Sequence, residues 1–284
     1  MGVTTTTVEA IIKDQCRQLR LPSVGARCMT LEQEAVRSHQ GHSPYLSALL
    51  EQELEDRAQR RAQRRISEAR FPHVKSLGDF RFEDNPTVSA STIARLAEGG
   101  YIEHAENVLL VGDTGTGKTM LATALGLAAC QQGRAVRFTT VAALANELLE
   151  ARDQLVLSRV VARWARVDVM ICDDLGYLTL PPAGAELLFQ VFAQRAESGS
   201  VIVTTNLPFS EWSTVFSDPR LCKAVVERLT YRAHIVETGN ESFRFKSSLA
   251  RTRAARAKAV TATNTAPTAS LAPNAAAAPK TAPL

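Results

Sequence analysis

Three glycines within six residues, set between an apolar run and a helix-forming run, constrain this chain more than any other feature. The segment GDTGTGKT, Gly112 to Thr119, follows NVLLV and precedes MLATALGLAAC. Gly112, Gly115 and Gly117 allow the backbone to turn sharply enough for successive N–H groups to face inward. A buried strand before the loop and a helix after it supply a positive helix end at the same spot. The full pattern G-x-x-x-x-G-K-[ST] in that context is a phosphate loop, formed by Gly112, Asp113, Thr114, Gly115, Thr116, Gly117, Lys118 and Thr119. Lys118 is placed to reach the outer phosphates of ATP, and the Thr119 hydroxyl to join a Mg²⁺ shell.

The rest of the chain arranges itself around that loop. The apolar runs NVLLVG, AVRFTT, VDVMICDD, SVIVTTN and AHIVET alternate with helical segments between residues 88 and 240. Near-continuous apolar strands separated by helices predict an α/β fold with a parallel sheet buried on both faces. Residues 8 to 75 read as helical, with Tyr45, Leu46, Leu49, Leu50 and Leu54 forming an apolar stripe that needs a partner. Phe71–Pro72 marks the stop of that region, and Ser76 to Thr87 reads as a linker. Past residue 249 the chain is first basic (RTRAARAK) and then rich in Ala, Thr and Pro, a composition too poor in large apolar residues for a core and expected to be disordered. The division is therefore 1–75, an N-terminal helical region; 76–249, the nucleotide-binding domain; and 250–284, the tail.

Two further strand ends carry chemistry. VDVMICDD ends in Asp173 and Asp174. The first is placed to hold Mg²⁺ beside the phosphates, the second to orient or deprotonate an attacking water. An aspartate at the second position reaches one methylene less far than a glutamate. SVIVTTN ends in Thr205 and Asn206, which emerge at the edge where open α/β sheets bind ligands. Asn206 either bonds the γ-phosphate or the attacking water, or simply belongs to an Asn-Leu-Pro turn. Arg228, in VVERLTYR, either caps a helix C-terminus or projects into a neighbouring subunit's ATP.

GDTGTGKT, VDVMICDDLGYL and VIVTTNLPFSEW, in this order and spacing, resemble the AAA+ ATPases of the helicase-loader clade, and within it the IstB-like helpers of insertion-sequence transposases. LRLPSVGARC, the arginine-dense SPYLSALLEQELEDRAQRRAQRRISEARFP, SLGDFRF and NESFRFK extend the resemblance over about residues 10 to 248. It implies a self-assembling homo-oligomeric ATPase that uses ATP and Mg²⁺, binds duplex DNA, selects a target and recruits and stimulates its cognate transposase. It also puts Asn206 at the sensor position and Arg228 at the arginine finger, with Arg220 and Arg232 close enough to compete. The helical insertion Val141 to Arg166 then faces DNA. In it Leu144, Leu148 and Leu155 form an apolar stripe, and Arg152, Arg159, Arg163 and Arg166 supply positive charge for phosphates. That basic face is otherwise an ordinary solvated one. The arginines of residues 57–70 are a second DNA candidate, unless Glu53–Arg57 and Asp56–Arg60 pairs at i,i+4 merely stabilise the helix.

Alternatives within reach of the same motifs are a loader of the replicative helicase and a nucleotide-dependent scaffold with little turnover. Composition excludes other classes. The five cysteines are scattered without a CxxC pair or a nearby His cluster, which argues against structural zinc and disulfides and fits a reducing cytoplasm. No apolar run is long enough to span a membrane. Trp164 and Trp212 are expected in the core.

Overall fold

The computed structural model describes residues 5–196 and 198–239. The expected tail, the basic RTRAARAK segment and NESFRFK lie outside the described residues.

Three helices come first, α1 (Thr5–Gln18), α2 (Pro22–Arg37) and α3 (His42–Ala69). The chain leaves α3 through Arg70 in the left-handed conformation, one residue before the expected Phe71–Pro72 stop. Helix α3 turns Leu49 and Glu53 toward α2, and both are buried. The Glu53 carboxylate accepts the Ser23 N–H at 2.8 Å and the Val24 N–H at 3.2 Å, at the positive end of α2, and takes Arg57 Nε at 2.8 Å. Burial alone would raise the Glu53 carboxyl, but Arg57 and these two N–H groups outweigh it and hold it below the usual range. Leu46, Leu50 and Leu54 are the surprise. They stay 46–67% exposed, so only part of the predicted apolar stripe is covered, because the adjacent Tyr45–Leu49–Glu53 row is the one that meets α2.

Helices α4 (Ala90–Ala97) and α5 (Gly100–Glu103) lead into the sheet, which alternates β1 (Asn107–Val111), α6 (Lys118–Gln131), β2 (Val136–Thr140), α7 (Val141–Asp153), α8 (Leu157–Ala165), β3 (Val169–Leu175), α9 (Pro182–Arg195), β4 (Ser200–Thr205), α10 (Pro219–Thr230) and β5 (Ala233–Glu237). All five strands are parallel, in the order β2-β3-β4-β1-β5. Four of them fall inside a run that the sequence marks as apolar, and β3 extends one residue past its run, to Leu175. The faces are filled by alternation: Leu109, Met170, Cys172 and Val203 pack under α7, α9 and α10, whereas Val108, Leu110, Ile171 and Ile202 pack under α4, α5 and α6. Burial on both faces is why these strands lack polar alternation.

A buried arginine knits the lower part of this core. Arg195, 1% exposed, donates to the carbonyls of Trp164 (2.6 Å), Val167 (3.0 Å), Asp168 (3.3 Å) and Ser200 (3.0 Å). It joins the end of α8 to the starts of β3 and β4, and burial lowers its pKa to about 10.

The stretch Ser76 to Thr87 is more than a linker. It contains two short 3-10 turns, Leu77–Asp79 and Phe82–Asp84, and it lies against the phosphate loop. The Phe80 ring covers Gly117, and Asn85 Nδ2 donates to the Thr116 carbonyl at 2.9 Å. Two phenylalanines in edge contact, Phe80 and Phe82 at 4.9 Å, give this segment its own apolar anchor, which its largely polar composition disguises.

Candidate functional site

The site lies at the carboxyl edge of the sheet, above β1 and β3. The loop after β1 runs with Gly115 at φ +88° and Gly117 at φ +96°, and α6 starts at Lys118. A Cβ on Gly112 would collide with Thr238 and stand 2.8 Å from the Gly239 carbonyl oxygen; one on Gly117 would stand 2.7 Å from Phe80 Cε2. These two glycines are required by neighbours as much as by the turn. The segment after β5 holds the loop from behind: Asp113 N–H donates to the Gly239 carbonyl at 3.1 Å and the hydroxyls of Thr116 and Thr238 lie 2.6 Å apart. The N–H groups of Thr114, Gly115 and Gly117 have no acceptor among the described residues. Lys118 Nζ, almost fully buried, folds back onto the carbonyls of Gly112 (2.7 Å) and Asp113 (2.8 Å). A ring of inward donors with a lysine at its centre fits the oxygens of a polyphosphate.

Opposite the loop stand the two aspartates. Asp173, 4% exposed, accepts the Thr119 hydroxyl at 3.0 Å and the Thr204 hydroxyl at 2.5 Å through the same Oδ1. Burial pushes its carboxyl above the ordinary range; the Thr204 bond opposes this, the charge of Asp174 adds to it, and Thr119 and Lys118 oppose it. A hydroxyl and a carboxylate oxygen side by side are hard oxygen donors that suit Mg²⁺ together with phosphate oxygens. Asp174 is different. It has φ +59° and is exposed, at an irregularity where the β3–β4 register shifts between Cys172 and Leu175. Such a bulge re-aims a side chain next to a site. The Asp174 N–H donates to Thr204 Oγ1 at 2.9 Å, so one buried hydroxyl bridges both acidic residues. Asn206 follows β4 at the same edge, beside Gly176, half-buried. Thr205 instead accepts the Leu207 N–H at 3.1 Å and closes the local turn.

Arg228 stands apart from all of these. It lies in the last turn of α10, exposed, and lines a depression with Asn107, the first residue of β1. The phosphate loop leaves the other end of β1, roughly 16 Å away for five residues of strand. The C-terminal carbonyls of α10 are already served by Asn107 Nδ2, which donates to Leu229 at 3.1 Å and Arg228 at 3.4 Å. The Arg228 guanidinium has no partner among the described residues. Arg232 pairs with Glu106 at 4.0 Å, and Arg220 sits at the opposite end of α10, its N–H on the Asp218 cap.

The helical insertion is two helices, α7 and α8, with a break at residues 154–156. Leu144 and Leu148 are fully buried, as expected, but Leu155 is 93% exposed at φ +59° and takes no part in the stripe. The chain reverses there, so the helical phase that links residues 144, 148 and 155 is lost. Arg152, Arg159, Arg163 and Arg166 are all exposed. Arg163 pairs with Glu147 and Arg152 with Asp153 at 3.3 Å, whereas Arg159 and Arg166 have no ion-pair partner among the described residues. Trp164 and Trp212 are core residues at 2% and 0% exposure. In α3 the i,i+4 pairs Glu53–Arg57 and Asp56–Arg60 form, at 2.8 and 3.8 Å. Arg57 and Arg60 also bond α1–α2, through the Arg20 carbonyl and the Ser23 hydroxyl, and Arg65 reaches the Gly133 carbonyl, which ties much of that charge to structure.

Comparison with known proteins agrees with this geometry. The family described as "IstB-like ATP binding protein" matches residues 14–251. An insertion-sequence ATP-binding protein of Sinorhizobium fredii is 36% identical, over 87% of this chain and 84% of its own length. The ATP-binding proteins of IS21 from Pseudomonas aeruginosa and IS5376 from Geobacillus stearothermophilus are each 32% identical, over 81% and 83% of this chain and 86% and 94% of their own lengths. Among solved structures, AMPPCP-bound DnaA from Aquifex aeolicus shares the fold, with a TM-score of 0.51 and 18% identity over 59% of this chain and 51% of that one. The chain belongs to the IstB-like family of ATP-binding proteins.

Proposed function

We propose that this chain is a Mg²⁺-dependent ATPase that assembles in its ATP-bound form on duplex DNA, in the cytoplasm, and there selects a target and recruits and stimulates the transposase of its insertion sequence. The observation that carries the reading is the Thr119–Asp173–Thr204–Asp174 chain of hydrogen bonds facing the phosphate loop. Loop N–H groups and Lys118 hold the phosphates, while Thr119 and Asp173 hold the ion. Bound by these two residues, Mg²⁺ would supply positive charge that offsets the charge of the phosphates. Asp174, exposed beside them, positions the attacking water and takes its proton, and Asn206 bonds that water or the γ-phosphate. Arg228 cannot serve its own nucleotide across the depth of the sheet, so it acts on a neighbouring subunit in a head-to-tail assembly. This favours Arg228 and Arg232 over Arg220, and the Arg232–Glu106 pair favours Arg228 of the two.

DNA contacts fall to the insertion, through Arg152, Arg159, Arg163 and Arg166, and transposase or DNA contacts to the N-terminal helical region. The division at residues 75 and 249 serves these roles: helices for partners, sheet for nucleotide. The test is sedimentation of the full chain with duplex DNA under ATP, ADP or no nucleotide, with and without the cognate transposase. Large assemblies that form on DNA only with ATP and then retain the transposase support the proposal. Assembly indifferent to nucleotide and to DNA contradicts it.

A further inference from the structure

The reversal between α7 and α8 exposes Leu155 more than any other large apolar side chain among the described residues; Tyr177 follows at 77%. The turn is well made. Leu155 N–H bonds the Arg152 carbonyl at 3.0 Å and Val156 N–H the Ala151 carbonyl at 2.8 Å, closing α7 with Leu155 in the left-handed conformation. That position favours glycine or asparagine. After α1, α2, α5 and α10 the equivalent places hold Arg20, His39, Ala105 and Arg232, polar or small residues. Leu155 is the large apolar exception, and folding gains nothing from it, since it fills no cavity.

Its surroundings indicate what covers it. Arg152 precedes it by three residues on α7, and Arg159 follows it by four on α8. Next to it runs a groove of about 670 Å³ lined by Val156, Val160, Arg159, Arg163 and Arg166. An apolar tip with cations on both sides matches a polyanion whose interior is apolar and stacked: a DNA duplex. An acidic protein surface would satisfy the arginines but offers no apolar slot between its charges. We propose that Leu155 is a wedge that enters the duplex between neighbouring base pairs, with Arg152, Arg159 and Arg166 holding phosphates on either side. This rests on the DNA-binding reading above and adds to it local distortion of the duplex at each bound subunit. The arginines provide affinity without sequence preference; the leucine favours steps that unstack easily.

The experiment uses the full chain, ATP and a short duplex carrying the fluorescent base analogue aminopurine, whose emission rises on unstacking. Wild type is expected to raise the emission several-fold. Leu155→Ala should remove most of that rise and weaken binding about tenfold, while the salt dependence of binding and the melting temperature of the protein stay unchanged; Leu155→Gly should do the same to the rise and to binding while raising the melting temperature, because glycine suits the left-handed position. Leu155→Phe should keep the rise. Arg159→Ala should lower the salt slope by about one instead. Wild type that binds the duplex while Leu155→Ala binds and unstacks it equally well overturns the wedge alone. So does a Leu155→Ala variant that loses only its response to the transposase, which would make the occupant a protein. Wild type that does not bind the duplex overturns the DNA reading and the wedge together.

Discussion

Replacing Thr204 by valine removes one oxygen and almost no volume, yet it strikes two bonds. The Thr204 hydroxyl donates to Asp173 at 2.5 Å and accepts the Asp174 N–H at 2.9 Å, and the residue is 1% exposed. A hydrogen bond to a carboxylate contributes about 1.5–3 kcal/mol, and an N–H left unpaired in a partly buried place costs about 1 kcal/mol more. The loss of about 2.5–4 kcal/mol corresponds to a fall of roughly 5–15 °C in melting temperature for a folded unit of this size. The pH response has a definite sign. Burial already raises the Asp173 carboxyl, so its protonated form favours folding at low pH and its ionisation opposes folding as pH rises through that raised value. Thr204 is the strongest influence pulling it back down. In Thr204→Val the carboxyl stays protonated to higher pH, and the acid limb of Mg²⁺-dependent hydrolysis moves up with it. Thr204→Ser keeps the hydroxyl and should keep the wild-type limb, losing only about 1 kcal/mol for the missing methyl. Calorimetry and pH–rate profiles of the two variants decide the matter. Equal melting temperatures and equal acid limbs in Thr204→Val and Thr204→Ser would refute the bridging role.

Three shorter predictions come from other parts of the site and scaffold. Asp174→Asn should slow hydrolysis by about 10²-fold or more while ATP binding, followed by fluorescent-nucleotide titration, stays within about twofold; undiminished turnover would remove Asp174 from the chemistry. Gly117→Ala should cost about 1–3 kcal/mol through its positive φ and the Phe80 contact, and much of the nucleotide-induced thermal shift with it; shrinking Phe80 to alanine in the same chain should return part of the loss. Glu53→Gln should destabilise the packing of α2 on α3 by about 1–3 kcal/mol at neutral pH. Because the Glu53 carboxyl is held below its ordinary range, the wild-type advantage is present above that range and fades as pH falls through the lowered value. Hydrogen exchange in α2 measured at neutral and acid pH reads this directly.

The phosphate loop and all five strands were legible in the sequence because their signals are local: glycine at fixed offsets, an apolar run, a polar strand end. What escaped depends on register and tertiary contact. Thr204 and Thr205 look alike in SVIVTTN, and only the bulge at Asp173–Asp174 decides that the first faces the carboxylates while the second closes a turn. Arg195 reads as an ordinary basic residue in the last turn of a helix; its role depends on four carbonyls brought together by α8, β3 and β4. Leu155 continues a helical period on paper, and its exposure follows from a reversal that no glycine announces. Likewise Phe80 sits in a segment of linker-like composition, and only the approach of Gly117 gives it a place.

On the proposed function, ATP hydrolysis at this site serves assembly on DNA. Steady-state ATP hydrolysis by the full chain, measured with Mg²⁺ in the presence and absence of duplex DNA, tests it most directly. Turnover is expected to require Mg²⁺, to be lost in Lys118→Ala, and to rise when duplex is added. Turnover that survives Lys118→Ala, or a rate and an assembly state that ignore the duplex, would contradict the proposed function.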